Sequence, residues 1–104
     1  MRNQLLKLTK GHSTKSERIF VEILKKLKIP FTAKAKIGKH EVDFLVVYQD
    51  VKYTIEINGH EQNTEKNKYM LEHSYVPVHY NNYSVLNSRN KVEEDIKKLL
   101  NIKQ

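Results

Sequence analysis

The sequence predicts a small α/β domain, mixed α+β in character, with the element order αβββαβα. Three features carry that expectation. A capped amphipathic segment closes at Pro30, two β-rich runs flank a two-residue turn, and an aliphatic helical pattern lies near the C-terminus. The 104 residues suit one domain, and 38% hydrophobic against 30% charged residues excludes a wholly disordered chain.

The elements follow in order. Residues 1–12 are a basic lead-in without periodicity and are expected to be a linker or tail, leaving 13–104 as the domain. Thr14-Lys15-Ser16-Glu17 fits a capping box, and Phe20, Ile23, Leu24 and Leu27 follow at helical spacing until Pro30. Phe31 to Ile37 alternates loosely and reads as a strand, with Gly38-Lys39 as its turn. His40 to Tyr48 and Val51 to Asn58 read as two further strands around Gln49-Asp50. Gly59 breaks the third. Residues 61–74 are polar but helix-competent, anchored by Tyr69, Met70 and Leu71. Val76 to Tyr80 contains Pro77 and is expected at a sheet edge. Asn81 to Asn90 reads as loop, and Ser88 or Asn90 caps a last helix carrying Val92, Ile96, Leu99 and Leu100.

Composition removes several classes of function. The chain has no cysteine, so disulfide scaffolds, thiolate zinc sites, iron–sulfur clusters and cysteine nucleophiles are excluded. No apolar run approaches the roughly 20 residues that span a bilayer. Leu5, Leu6 and Leu8 do not make a secretory core, so a cytoplasmic location is expected. The net charge is +7, unevenly placed: residues 1–40 hold eleven Lys and Arg against Glu17 and Glu22, while 41–104 hold eight against ten acids. A basic half beside a mildly acidic half suggests a polyanion-binding surface rather than a uniformly solvated lysine coat.

The hairpin around Gln49-Asp50 carries the functional argument. Pairing outward from that turn sets Val42 against Ile57, Phe44 against Ile55, Val46 against Tyr53 and Tyr48 against Val51, an apolar face that fixes register. The other face sets Glu41 against Asn58, Asp43 against Glu56, Leu45 against Thr54 and Val47 against Lys52. Two carboxylates opposite one another, with Cβ atoms roughly 4.5–5.5 Å apart, repel. They call for a shared proton or cation, and oxygen ligands completed by water and phosphate suit Mg²⁺ or Mn²⁺. Glu17 shares a helix face with Phe20, Val21 and Leu24, which places a third carboxylate at the core's margin. Its part in the capping box is compatible with that role. His60 follows just beyond the strand that bears Glu56, where a general base or proton donor is useful. His12, His40, His73 and His79 have no comparable context, and no HxxxH or HExxH spacing supports a zinc protease.

These residues, in this order, resemble the PD-(D/E)xK nuclease superfamily, and within it the very-short-patch-repair branch with the EDxHD homing endonucleases. The likeness rests on Lys15-Ser16-Glu17-Arg18-Ile19-Phe20, on Ile37 to Val46 with its central Val42-Asp43-Phe44, and on Ile55-Glu56-Ile57-Asn58-Gly59-His60. It covers roughly residues 13–100. The resemblance implies a restriction-endonuclease-like mixed sheet flanked by helices and metal-dependent hydrolysis of DNA phosphodiesters. Asp43 matches the family's metal-binding aspartate, Glu17 its first-helix glutamate and Glu56 the acidic position of (D/E)xK. The Ile57 carbonyl would be a main-chain metal ligand, and His60 matches the branch's histidine. Two departures stand out. The motif's lysine is Asn58, which carries no charge, so His60 or Lys52 must supply its function or catalysis is weak. The branch's second aspartate is not evident, and Glu65, beside Thr64 and Asn67, is the nearest chemical substitute.

On this reading Asp43, Glu56 and the Ile57 carbonyl hold Mg²⁺ or Mn²⁺, His60 moves the proton and Glu17 orients a water. Lys34, Lys36, Lys39 and Lys52 contact the DNA backbone, a salt-dependent and sequence-blind term. Nothing resembles a base-reading helix. Sequence choice is expected from a separate recognition domain of a longer protein, or the domain acts as a homodimer. Two other readings compete: a decayed nuclease fold that binds nucleic acid without cutting it, and an unrelated αβ interaction module.

Overall fold

The computed structural model describes residues 14–58 and 64–102, apart from the side chain of Asn58. The expected tail at 1–12 and the expectations on Gly59 and His60 lie outside the described residues. The elements are α1 (Lys15–Lys26), β1 (Thr32–Ile37), β2 (His40–Tyr48), β3 (Val51–Asn58), α2 (Thr64–Glu72), β4 (Tyr75–Asn81), α3 (Asn82–Asn87) and α4 (Arg89–Leu100). The four strands form one mixed sheet in the order β1-β2-β3-β4. β1, β2 and β3 run antiparallel in turn, and β4 lies parallel to β3. That last pairing needs a crossover, and α2 supplies it.

Helix α1 begins on the predicted capping box, with both reciprocal bonds made between Thr14 and Glu17. It ends before Pro30 is reached. Leu27 is the C-cap, Lys28 takes φ 59°, and the Ile29 and Lys28 amides donate to the Leu24 and Lys25 carbonyls. This is a Schellman motif, its usual contact made by buried Ile29 and Leu24, with lysine where glycine is preferred. Lys28→Gly is therefore expected to stabilise the domain by about 1 kcal/mol in urea denaturation. Gly38 gives the opposite sign. Its φ of 61° suits the β1–β2 turn, and a Cβ there would overlap the Tyr69 ring on α2. Gly38→Ala is expected to cost about 1–2 kcal/mol by the same measurement.

The β2–β3 hairpin turns on Gln49 and Asp50, both at positive φ (49° and 69°), the conformation whose twist matches the strands. Its register is the predicted one from Tyr48–Val51 to Phe44–Ile55. Helices cover both faces. Phe20, Ile23 and Leu24 of α1, Val85 of α3 and Val92, Ile96 and Leu100 of α4 pack with Phe44, Val46, Tyr53, Ile55 and Ile57. On the other face Met70 of α2 packs with Ala35, Ile37, Val42 and Leu45. β4 lies at the sheet edge, as Pro77 requires.

Two expectations are corrected. Asn81 to Asn90 is not loop: the Asn81 side chain accepts the Tyr83 amide at 2.7 Å and buried Val85 anchors the short helix α3. Turn-forming Asn and Ser residues masked a local cap plus one core contact. The order is thus αβββαβαα. Nor is the hairpin's apolar face continuous. Val42 and Leu45 pack toward Met70, whereas Phe44 and Val46 pack toward Phe20, so strict alternation breaks at Asp43. In the β1–β2 ladder the pairs Ala33–Phe44 and Ala35–Val42 are made, while Lys34, between them, takes φ 54°.

Candidate active site

The break at Asp43 builds the site. Continued regularly, the β2–β3 ladder would bring the Ile57 amide to Val42. Instead that N–H donates to Asp43 Oδ2 at 2.7 Å. The ladder closes at Phe44–Ile55, and a side chain stands where a strand bond would be. Asp43 is thereby fixed at the opening between the two strands. The Ile57 carbonyl points the same way as its own amide, toward the same opening.

Glu17 reaches this place from α1. Its carboxylate accepts the Thr14 amide at 3.2 Å, as the capping box demands, and Lys34 Nζ at 3.3 Å. The Glu17 carboxylate thus makes the cap while lying near enough to act on Asp43. The positive φ of Lys34 accompanies this contact between β1 and α1. Ser16, one residue earlier and also buried, donates to Asn82 Oδ1 at 2.7 Å and ties α1 to α3.

Glu56 approaches from β3 and forms an ion pair with Lys66 of α2, each side chain only 16% exposed. In the parallel register Glu56 neighbours His79 of β4. His79 Nε2 bonds Asn67 Oδ1 at 2.9 Å, and its buried Nδ1 has no hydrogen-bond partner. Burial, and then Lys66, push the His79 imidazole below its usual range, against the pull of Glu56. Lys66 and Asn67 thus clamp the first half of α2 onto β3 and β4. This accounts for a helix whose sole fully buried side chain is Met70: polar contacts do what an apolar stripe does elsewhere.

The electrostatics converge on Asp43. Its carboxyl is pushed up to about 6, first by burial and then by the negative charges of Glu17 and Glu56 and a hydrogen bond with Glu17. The Ile57 amide opposes this. Asp43 therefore senses both Glu17 and Glu56 at the opening of the hairpin, just beyond the last ladder pair, Phe44–Ile55. No group of three His, Asp or Glu among the described residues is arranged to hold a metal ion alone. A hard dication that keeps several waters needs only one or two carboxylates. A nearby cation would lower an Asp carboxyl that is raised first by burial and then by neighbouring carboxylates.

Other expected residues lie elsewhere. Lys52 stands away from the carboxylates, its Nζ 4.6 Å from the centre of the Tyr75 ring. It is also four residues along β3 from Glu56, about 13 Å at strand rise. Glu65 does not join the carboxylates; it is exposed and lines a cleft of about 220 Å³ with Lys39, His40, Lys68, Tyr69 and Glu72. Lys36 is exposed and pairs with Glu41 in the β1–β2 register. Lys34 pairs with Glu17, its side chain still 39% exposed. Sequence reasoning missed Lys66, Asn67 and His79. The one available signal was Pro77, which marked an edge strand; which strand it would join, and in which direction, no local pattern states.

Among the described residues no helix is long and apolar enough to cross a membrane. No family model and no curated protein matches the sequence. Among solved structures, the catalytic domain of the homing endonuclease I-Bth0305I is similar, with 26% sequence identity and a TM-score of 0.62. The match covers 83% of this chain and 93% of that one. The helix-flanked mixed sheet that brings Glu17, Asp43 and Glu56 together is thus a fold shared with a homing-endonuclease catalytic domain.

Proposed function

We propose that this chain is a metal-dependent DNA endonuclease domain of the PD-(D/E)xK type, of the very-short-patch-repair and EDxHD homing-endonuclease branch. One observation carries the reading: the Ile57 amide fixes Asp43 at the open end of the β2–β3 hairpin, where Glu17 and Glu56 both act on it, in a fold similar to a homing endonuclease's catalytic domain. Asp43 and Glu56 are the proposed ligands of Mg²⁺ or Mn²⁺, with the Ile57 carbonyl. When bound, the cation polarises a phosphate oxygen and lowers the pKa of a water. The protein's own part is positional. The Ile57 amide holds Asp43 in one orientation, and the capping box holds Glu17 at the same opening, placed to orient a water. His60 is the proposed proton-transfer group. Lys34, Lys36 and Lys39 lie on β1 and its turn, and supply positive charge along a DNA backbone. Sequence choice comes from a separate recognition domain or from pairing of two copies.

The test is cleavage of supercoiled plasmid at low salt, with and without Mg²⁺ or Mn²⁺. Nicking or linearisation that needs the metal supports the reading. A protein that binds plasmid but cuts it with neither metal is instead a nucleic-acid-binding module on the same fold, the outcome Asn58 in the motif's lysine position favours.

A further inference from the structure

Resting on that reading, we infer that Lys66 is a built-in competitor for the metal seat, and that it couples metal loading to capture of a DNA phosphate. Lys66 Nζ forms an ion pair with Glu56, and both side chains are largely withdrawn from water. In the metal-free protein its ammonium therefore occupies the carboxylate that a divalent cation needs. Two cations cannot share that carboxylate without repulsion in a partly dry site. Metal binding at Asp43 and Glu56 must displace Lys66.

The chain is built to allow this. Lysine carries a point charge on a flexible four-carbon stem, which can leave one oxygen for another without moving its backbone. The backbone has its own anchor, because the adjacent Asn67 holds α2 to β4 through His79 at 2.9 Å. Met70 adds the helix's buried apolar contact. Asn58, at the end of β3, offers no charge, so Lys66 is the ammonium paired with Glu56. A DNA phosphate entering beside the seat offers the displaced ammonium a new anion. Phosphate then weakens the Lys66–Glu56 pair and favours the metal, and by reciprocity the metal frees Lys66 for phosphate and favours DNA. Lys66 is thus a positioning residue whose effect shows in binding as well as in turnover.

The experiment is a Mg²⁺ titration of the full chain without DNA, read by calorimetry and by the metal-induced shift in Tm, for the unsubstituted protein, Lys66→Met and Lys66→Arg. Lys66→Met is expected to bind Mg²⁺ about tenfold more tightly, within the roughly 5- to 150-fold range of such couplings, and to cleave plasmid more slowly. Lys66→Arg, which keeps the charge, is expected to bind as weakly as the unsubstituted protein. Mg²⁺ affinity unchanged or weaker in Lys66→Met overturns the proposal. If the unsubstituted protein still cuts plasmid with Mg²⁺ in that case, the nuclease reading stands without it. If no protein binds Mg²⁺ and none cuts, both readings fall. Should Lys66→Met not fold, the unsubstituted protein decides. Reductive methylation of Lys66, followed by mass spectrometry, is expected to be slow in EDTA and severalfold faster in saturating Mg²⁺. Equal reactivity in the two conditions overturns the proposal.

Discussion

Asp43→Ala is expected to lower metal-dependent plasmid cleavage on the order of 10³-fold or more while the domain stays folded, the scale on which preorganised electrostatic stabilisation is lost. Asp43 is the group on which Glu17 and Glu56 both act, and its removal deletes the proposed ligand that the Ile57 amide fixes in place. Asp43→Asn sharpens the test. It keeps an oxygen to accept the Ile57 amide but cannot ionise. Because burial and neighbouring charge raise the Asp43 carboxyl from 3.8 to about 6, the native state binds a proton there more tightly than the unfolded chain does. Its stabilising contribution is present below pH 3.8 and is lost as pH rises through about 6. At pH 7.5 the metal-free domain therefore carries a penalty, on the order of 1–2 kcal/mol once solvent screening is allowed for. Asp43→Asn should be more stable than the unsubstituted protein at pH 7.5 in EDTA, and no more stable near pH 4. Urea denaturation at the two pH values, beside the cleavage assay, checks both parts. A variant that still cuts sinks the assignment of the site.

Phe20→Ala is expected to destabilise the domain by about 3–5 kcal/mol, the cost of deleting a fully buried aromatic side chain. Phe20 is 0% exposed. Its ring stacks on Phe44 at 5.2 Å between centroids and tilts against Tyr80 at 5.5 Å, so it joins α1 to both β2 and β4. A domain of this size has about 5–15 kcal/mol in total, so the loss brings it close to unfolding. The two variants fail differently. Asp43→Ala keeps its circular dichroism and loses cutting, whereas Phe20→Ala loses both together. Phe20 lies three residues after Glu17 on the same helix face, so the core contact also sets the carboxylate's position. Full cleavage with an unchanged urea midpoint in Phe20→Ala would contradict the packing described here.

Much of the architecture was legible because its signals are local. The Thr14–Glu17 capping box, the Gln49-Asp50 turn and the apolar run on either side of it specify α1 and the β2–β3 register without reference to the rest of the chain. From these the candidate carboxylates Glu17, Asp43 and Glu56 followed directly. Helix α3 was hidden because Asn and Ser serve turns and caps alike, and only the burial of Val85 decides between them.

The helix start, the hairpin and the identity of the acids on its polar side are local properties, since each depends on residues close in the chain. Tertiary structure alone decided what those acids meet. The parallel pairing of β3 with β4 brings His79 beside Glu56, and the crossover helix brings Lys66 onto the same carboxylate. Lys66 lies ten positions after Glu56 in the chain. Such contacts are set by how a crossover folds back over a sheet, a choice made by the burial of Met70 and the polar clamp at Asn67 rather than by any periodicity. The same reason explains the break at Asp43: a side chain takes over a ladder bond only where α1 brings Glu17 and β1 brings Lys34 to that end of the hairpin.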